Sequence, residues 1–243
     1  MSSIINSFQL KNVSVGHSHR SLIENISLQV QSPCLVGLIG NNGIGKTTLL
    51  KTICGLQPKI SGEIFYNEKD ISSLANRELS TIVTLGFSFA NYMFPVSVYE
   101  LVSMGRYPYL NNMASVTNAD NEIILQAIDA LGITHLKDKS VTQISDGERQ
   151  KACIAKALAQ QTPVLLLDEP TAFLDYTSKK QFFTIIKQEM QRRNSIAIIS
   201  SHDIDFLTRQ ADYLLMITDD KQSEFNTTEN IVAGNYFKQN FNY

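Results

Sequence analysis

A glycine-rich stretch, GNNGIGKT at residues 40–47, constrains the fold of this chain more than any other feature. It stands between CLVGLI, a short apolar run typical of a buried strand, and KTTLLKTIC, which has the periodicity of a helix. A glycine, four residues and then Gly-Lys-Ser/Thr is the pattern of a phosphate-binding loop. A chance glycine-rich turn would explain the glycines, but not a strand directly before them and a helix directly after.

In this loop, the backbone is expected to surround a phosphate, and side chains are expected to reach it. Glycines let the backbone N–H groups turn inward, and the following helix adds the positive end of its dipole. Lys46 is expected to reach the β- and γ-phosphates, Thr47 to offer its hydroxyl to Mg²⁺, and Thr48 to lie on the α-phosphate side. The predicted nucleotide-binding set is Gly40, Asn41, Asn42, Gly43, Ile44, Gly45, Lys46, Thr47 and Thr48.

Strand and helix patterns alternate along the rest of the chain. FQLKNVSV and ISLQVQ alternate as half-buried strands do, whereas PVLLLDE and SIAIISS are apolar strands on either side of the helical segment SKKQFFTIIKQEMQRR. Buried strands separated by helices predict an α/β fold with a mainly parallel sheet. We further expect an N-terminal antiparallel β region and an inserted helical lobe.

The chain is predicted to form a single domain over residues 1–243. The pattern becomes mostly helical after about residue 85, so the helical lobe is placed at about 88–160. Within the core, KTTLLKTIC is expected to be a helix with Gly55 as its C-cap. A short C-terminal extension covers about residues 219–243, and its mixed polar and aromatic pattern predicts no particular structure.

Composition excludes several classes of partner and location. Lys+Arg number 21 against 23 Asp+Glu, without a basic block, so nucleic acid is not expected as a partner. The N-terminus lacks a basic start followed by an apolar stretch, so no secretory signal is expected. No apolar run approaches the roughly 18 residues of a membrane-spanning helix. Three cysteines form no metal-binding pattern and are expected to be free thiols: Cys34, Cys54 and Cys153.

Two adjacent carboxylates, Asp168 and Glu169, follow the apolar run VLLL. A carboxylate at the end of a buried strand can hold Mg²⁺, and its neighbour can orient and deprotonate a water molecule. Two solvated acids at a turn would be the simpler interpretation, but four consecutive apolar residues bury this strand. His202 follows the next apolar strand and would reach the same edge of the sheet, although a lone histidine is usually structural.

The segment ISDGERQ, residues 144–150, begins another helix. Ser145 is a suitable N-cap, and Glu148 three residues later completes a capping box. The same helix start, with a serine hydroxyl and the small residue Gly147, is also suited to binding an anion. Asp146 would oppose an anion, and Arg149 and the helix dipole are the candidates that compensate its charge. Both interpretations can hold together.

Five segments resemble, in the same order, the motifs of the nucleotide-binding subunits of ABC transporters. GNNGIGKTT is similar to the Walker A loop, ISDGERQ to the signature motif, LLLDEP to the Walker B strand, FLD to the D-loop and SSHD to the H-loop. The resemblance covers about residues 8–218. It implies a P-loop NTPase core, ATP and Mg²⁺ as ligands, and ATP hydrolysis. It also implies that a second copy of the chain is the partner in a head-to-tail dimer.

The resemblance gives the catalytic residues their roles. It implies that Lys46, Glu169 and His202 form the catalytic set. In this set Glu169 is the general base and His202 orients the γ-phosphate. Thr47 and Asp168 are the implied metal-binding residues.

Further implied roles concern the second copy and the adenine. Ser145 and Gly147 would bind the γ-phosphate of an ATP held by the other copy, and Asp175 would cross the dimer interface. By its position after NVSVG, His17 stands where the family has an aromatic residue that stacks on adenine. His19 is a competing candidate for that position.

The segment VYELVSMGRYPY, residues 98–109, resembles the importers of iron-siderophore, haem or cobalamin. It implies transmembrane permease subunits as partners, a substrate-binding protein indirectly, and a peripheral position on the cytoplasmic face of the membrane. A simpler interpretation makes the segment a helix end followed by an X-Pro turn. Two other functions stay open: a soluble ABC-type ATPase without a permease, and a P-loop phosphoryl-transfer enzyme, which would not need SDGER or the paired carboxylates.

One departure from the family concerns the glutamine expected after the third strand. No Gln occurs between Gln57 and Gln126, and TLGFSFANYMFP stands in its place. Thr84 or Ser88 could supply a hydroxyl oxygen to the metal instead. Four aromatic residues follow, either as plain core or as a groove for a permease helix: Phe87, Phe89, Tyr92 and Phe94. We expect the segment to link the ATP site to the permease.

Overall fold

Two β-sheets form the framework of the protein. The computed structural model describes residues 6–17, 20–87, 95–110, 115–234 and 237–238. The larger sheet consists of β3 (Cys34–Ile39), β6 (Val83–Phe87), β7 (Val164–Asp168), β8 (Ile196–Ser200), β9 (Tyr213–Ile217) and β10 (Ser223–Thr227). Their order is β10-β9-β3-β8-β7-β6, and all neighbours are parallel except the β10-β9 pair. The predicted α/β fold with a mainly parallel sheet is confirmed.

The smaller sheet is antiparallel and lies in the N-terminal part of the chain. It consists of β1 (Ser7–His17), β2 (Arg20–Gln31), β4 (Ser61–Tyr66) and β5 (Lys69–Asp70), in the order β2-β1-β4-β5. Alternating burial along β2 matches the alternating sequence of that strand. The predicted N-terminal antiparallel region is therefore confirmed.

Eight α-helices surround the sheets in the described part of the chain. Their bounds are α1 (Lys46–Ile53), α2 (Asn76–Ile82), α3 (Val98–Ser103), α4 (Asn118–Ala130), α5 (Asp146–Ala159), α6 (Tyr176–Arg193), α7 (Ile204–Gln210) and α8 (Thr228–Ala233). Helices α3, α4 and α5 fall in the interval predicted for the helical lobe, whose limits stay a prediction. Among the described helices, none has the length and apolar character needed to cross a bilayer.

The helix after the glycine-rich loop ends one residue earlier than predicted. Cys54 is the C-cap, and Gly55 follows it with φ 75°. The N–H of Gly55 bonds to Thr52 O at 3.1 Å, and the N–H of Leu56 bonds to Lys51 O at 2.9 Å. This is a Schellman ending, in which the glycine occupies the left-handed position just beyond the cap.

Each face of the larger sheet has its own apolar core. Val164 and Leu166 of β7 point towards the antiparallel sheet and α1, whereas Leu165 and Leu167 point towards α5 and α6. The core on the α5 and α6 side of the sheet extends into α3 and α4 through buried apolar residues such as Leu101. Helix α5 therefore packs against the sheet and against the other helices of the lobe.

The segment Met104–Tyr109 is a 3₁₀ helix that continues α3 and includes Pro108. Arg106 is buried in it, with Nε 2.8 Å from Asp120 Oδ1 of α4 and Nη1 2.9 Å from Ala159 O of α5. Its guanidinium lies 4.2 Å from the ring centroid of Tyr109. The arginine thus ties three helical segments together, which gives part of the sequence GRYPY a structural role.

The C-terminal tail and the three cysteines were also covered by the sequence predictions. The tail, for which the sequence predicted no structure, supplies β10 and α8, and Phe237 beyond them is fully buried. Cys34, Cys54 and Cys153 form no disulfide, in agreement with the prediction. Burial, assisted by the nearby Asp212, raises the pKa of Cys34 to about 12, so its thiol stays protonated and unreactive at neutral pH.

Candidate functional site

The glycine-rich loop joins the end of β3 to the start of α1, as its sequence predicts. All six residues of β3 are buried, so the strand fixes the point at which the loop begins. Gly40 has φ 155°, and an added Cβ there would lie 3.0 Å from Ile217 O. Gly45 has φ 117°, and a Cβ there would meet Leu22 and Ile23 at 3.2–3.3 Å. Both positions require glycine because of their backbone angles and their close neighbours.

Lys46 is the buried cation of the loop. Its Nζ donates to Gly40 O at 2.8 Å and to Asn41 O at 3.2 Å. Burial lowers its pKa, while Glu169 and Asp168 act in the opposite direction. The loop is anchored in turn by Asn41, whose Nδ2 donates to Asp219 Oδ1 at 2.8 Å. The ammonium group is therefore fixed against the loop and lies in the field of both carboxylates.

Thr47 and Asp168 meet although 121 residues separate them in the sequence. Thr47 Oγ1 donates to Asp168 Oδ2 at 2.6 Å, and Ser200 Oγ donates to Asp168 Oδ1 at 2.7 Å. A hydroxyl and a carboxylate are hard oxygen donors of the kind that Mg²⁺ accepts. Mg²⁺ commonly takes only one or two protein groups and completes its shell with phosphate oxygens and water. The pair fits such an ion, even though the described residues contain no cluster of three or more metal-binding side chains.

Glu169 follows β7 in an unusual backbone conformation. Its φ is 51°, in the left-handed region, and its N–H donates to Ser200 Oγ at 2.9 Å and to Ser200 O at 3.2 Å. Non-glycine residues with such angles tend to concentrate at functional sites. Burial raises the pKa of the Glu169 carboxyl, and His202 and Lys46 counteract this effect. A raised pKa makes the carboxylate a stronger base towards water.

His202 lies directly beside this carboxylate, which confirms that both residues reach the same edge of the sheet. Its backbone N–H donates to Glu169 Oε2 at 3.2 Å, and its ring Nε2 is 3.1 Å from Glu169 Oε1. The ring contact is an ion pair only when the imidazole is protonated. The His202 side chain is 52% exposed, whereas that of Glu169 is 19% exposed. The histidine therefore faces the surface and the glutamate the interior.

Ser200 is a member of the site that the sequence analysis missed. It ends β8, the strand between β3 and β7, and it is fully buried. Its hydroxyl donates to Asp168 and accepts from the N–H of Glu169, so one side chain orients both acidic residues. The sequence does contain a sign of this role: Ser200 is a hydroxyl residue directly after the apolar run IAII, which ends at the same edge of the sheet as Asp168.

The start of α5 has the predicted capping box. Ser145 Oγ accepts from Glu148 N at 3.3 Å, and Glu148 Oε2 accepts from Ser145 N at 2.8 Å. Arg149 Nη1 is 3.0 Å from Asp146 Oδ1, so the predicted compensation of the Asp146 charge is present. A Cβ on Gly147 would lie 3.1 Å from Phe173 O, so this residue lets α5 approach the segment after β7 closely.

Asp175 lies in that segment and caps α6. Its Oδ1 accepts from Ser178 N at 2.7 Å, and this backbone hydrogen bond lowers the pKa of the exposed carboxyl. Two exposed aromatic side chains flank it, Phe173 at 47% and Tyr176 at 68%. Asp175 therefore stands on an exposed surface with aromatic neighbours.

His17 ends β1 beside the first turn of α1. Its Nε2 is 3.5 Å from Thr48 Oγ1, a weak contact that keeps the ring next to the glycine-rich loop. The competing candidate His19 lies outside the described residues. The predicted position of His17 next to the nucleotide loop is consistent with this geometry, and its stacking on adenine stays a prediction.

The structure gives no support to Thr84 as a metal contact. Thr84 Oγ1 is buried and donates to Gln160 Oε1 of α5 at 2.5 Å. Ser88, Phe89, Tyr92 and Phe94 lie outside the described residues. Phe87 is described, and it is 39% exposed with its ring centroid 5.7 Å from Lys51 Nζ, so it is not plain core.

Comparison with known proteins identifies the family. The ABC transporter family model matches residues 23–172, which include the glycine-rich loop, the α5 start and the paired carboxylates. An uncharacterized ABC transporter ATP-binding protein of Methanocaldococcus jannaschii is 34% identical over 91% of this chain and 77% of its own length. The ferric enterobactin transport ATP-binding protein FepC of Escherichia coli is 31% identical over 86% of this chain and 77% of its own.

Two further comparisons extend over nearly the whole chain. The iron(3+)-hydroxamate import ATP-binding protein FhuC of Bacillus subtilis is 26% identical over 98% of this chain and 88% of its own. A nucleotide-free ATP-binding cassette from an ABC transporter superposes with a TM-score of 0.83 at 18% identity, covering 96% of this chain and 97% of that one, which shows a shared fold. The chain therefore belongs to the ABC transporter family, as an ATP-binding subunit that hydrolyses ATP.

Proposed function

We propose that this subunit powers the import of an iron chelate such as a ferric siderophore, or of haem or cobalamin. Two relatives are named for transport of ferric enterobactin and of iron(3+)-hydroxamate. The segment 98–109, by which the sequence resembles these importers, forms α3 and the following 3₁₀ helix. In that segment, the Arg106 side chain forms its contacts with α4 and α5 of the same lobe. We therefore assign recognition of the chelate to the permease and the substrate-binding protein.

In hydrolysis, Glu169 acts as the general base. The observation that carries this role is its placement: a largely buried carboxylate with a raised pKa, fixed through Ser200 and His202 beside Lys46. Glu169 Oε accepts a proton from the attacking water, and Lys46 Nζ binds oxygens of the β- and γ-phosphates. His202, on the exposed side of Glu169, orients the γ-phosphate. These three side chains form the catalytic set.

Thr47 and Asp168 are the proposed ligands of Mg²⁺. Their 2.6 Å hydrogen bond places a hydroxyl and a carboxylate oxygen together at the end of the sheet. When bound, Mg²⁺ supplies positive charge that neutralises the phosphate oxygens and supports transfer of the γ-phosphoryl group. Ser200 keeps the Asp168 carboxylate in one orientation, which limits the entropy lost when a metal binds.

A second copy of the chain completes each ATP site in this proposal. Ser145 and Gly147 stand at the start of α5, a 14-residue helix whose N–H groups favour an anion. Asp175 stands on an exposed surface between Phe173 and Tyr176, which is the type of surface that aromatic side chains form at protein interfaces. We assign both surfaces to a head-to-tail dimer with ATP at the interface, and His17 to the adenine of its own copy.

A permease segment is proposed to dock in the cleft between α1, α2, β6 and α5. This cleft has a volume of about 390 Å³, and its lining includes Leu56, Thr84, Phe87, Cys153 and Lys156. Leu56 is 67% exposed and Phe87 39%, so the rim offers apolar surface to a partner. Docking there would hold the subunit on the cytoplasmic face of the membrane and link α5 to the permease.

The dimer is tested with Ser145→Arg. A bulky cation at the helix start should block ATP-driven dimerisation and hydrolysis while the isolated chain keeps its ATP affinity. Size-exclusion chromatography with ATP, together with an equilibrium binding assay, measures both effects. Loss of ATP binding by the monomeric variant would instead place Ser145 in the pocket of its own copy and contradict the proposal.

The importer is tested by purifying the tagged subunit from membranes and identifying its partners by mass spectrometry. We expect a multi-spanning permease to co-purify, and Leu56→Asp combined with Phe87→Asp to abolish this association while basal hydrolysis remains. A subunit that stays in the soluble fraction without a permease would favour the alternative, a soluble ABC-type ATPase. The paired carboxylates and the α5 start disfavour the second alternative, a phosphoryl-transfer enzyme.

A further inference from the structure

Lys179 makes an ion pair close to the catalytic site. None of the ATPase motifs accounts for this ion pair. It lies in the first turn of α6, and its Nζ is 2.7 Å from Asp203 Oδ2. Asp203 directly follows His202 in the chain. The Lys179 side chain is 19% exposed and that of Asp203 36%, so the contact is partly shielded from solvent. Partial shielding makes such a pair stronger than one at an open surface.

Asp203 is the centre of a small network around the histidine. Its Oδ2 also accepts from Thr171 Oγ1 at 3.3 Å, and its backbone N–H donates to Ser201 Oγ at 3.0 Å. The hydroxyls of Thr171 and Ser201 are themselves 3.2 Å apart, and both are buried. The backbone on either side of His202 is therefore fixed by polar contacts, and the ion pair of Lys179 and Asp203 is their charged component.

His202 depends on this backbone because its own ring is exposed. Its ring Nε2 lies 3.1 Å from Glu169 Oε1, and its backbone N–H donates to Glu169 Oε2. A shift of Asp203 would change both distances. We propose that Lys179 is a positioning residue for His202: by holding Asp203, it keeps the histidine at Glu169 during ATP hydrolysis. This inference rests on the role proposed above for His202.

The same lysine links His202 to the segment that carries Asp175. The N–H of Lys179 donates to Asp175 O at 2.9 Å, so the lysine belongs to the helix turn that Asp175 caps. A movement of this helix start is passed to Asp203 through the ion pair and from there to His202. Contact of a second copy with Asp175 would thereby act on the geometry of the catalytic histidine.

The test compares Lys179→Met with Lys180→Met. Lys180 is the next residue and is exposed, and within the described parts of the chain its amino group has no hydrogen bond or ion pair. We expect Lys179→Met to lower kcat for ATP about two- to fivefold, with KM nearly unchanged, since that is the range for a partly exposed ion pair. Lys180→Met should match the wild type. Lys179→Arg, which restores the charge, should recover most of kcat.

A double variant separates positioning from a general structural effect. In the His202→Ala background, Lys179→Met should cause no further loss, because the residue it positions is gone. Thermal melting of all variants identifies any that unfold, and Lys179→Arg then carries the comparison. Equal kcat for Lys179→Met and Lys180→Met, or a further loss in the double variant, would overturn the inference. Full activity of His202→Ala would instead refute the role of His202, and the inference with it.

Discussion

Ser200→Ala tests the arrangement of the two acidic residues. The serine hydroxyl is fully buried, 2.7 Å from Asp168 Oδ1 and 2.9 Å from the N–H of Glu169. A hydrogen bond to a charged group contributes about 1.5–3 kcal/mol, and alanine removes it without creating a large cavity. We therefore expect the free energy of unfolding to fall by about 2 kcal/mol, which lowers the melting temperature by roughly 4–8 °C in a domain of this size.

The same substitution should also slow hydrolysis. If about 1.4 kcal/mol of the lost energy orients the carboxylates in the transition state, kcat falls about tenfold. Ser195→Ala is the matched control: this serine lies just before β8, is buried, and has no side-chain hydrogen bond within the described residues. Urea unfolding and steady-state ATPase assays measure both effects. Wild-type stability and kcat in Ser200→Ala would refute the assignment of Ser200 to the site.

Three further predictions concern the loop, the lobe and the base. Gly45→Ala, at φ 117° with Leu22 and Ile23 at 3.2–3.3 Å, should weaken ATP binding at least about tenfold in a fluorescence titration, since the loop must shift. Arg106→Met leaves Asp120 buried beside an apolar side chain and should cost about 3 kcal/mol in chemical unfolding. Glu169 has a raised pKa when folded, so its contribution to stability falls as pH rises above 4.5. Glu169→Gln should therefore be more stable than wild type at pH 7.5, with the difference shrinking in acid; an unchanged difference would contradict this.

The glycine-rich loop and the sheet edge could be predicted because their chemistry is encoded locally. The glycines and Lys46 require a particular backbone, and the apolar runs identify buried strands. Asp168 and His202 each follow such a run. Their position at one edge of the sheet follows from the parallel pairing of β7 and β8, although 34 residues separate them in number.

Other parts of the fold gave too weak a signal. β6, with the sequence VTLGF, is a short edge strand that contains a glycine. β10 is half exposed. Neither strand therefore shows a clear alternation of apolar and polar residues. The ion pair of Lys179 and Asp203 joins two polar residues on different helical segments, and no periodicity relates them. Ser200 and Gln160 likewise act through tertiary contacts that a single sequence does not specify.

The role of Glu169 is tested most directly by the turnover of Glu169→Gln. The amide keeps the shape of the side chain but cannot accept the proton of the attacking water. Single-turnover ATP hydrolysis and equilibrium ATP binding are measured for this variant and for Glu122→Gln, a control in α4. We predict a fall in the hydrolysis rate of at least about a hundredfold with ATP affinity retained. A rate near that of the wild type, with ATP bound, would contradict Glu169 as the general base.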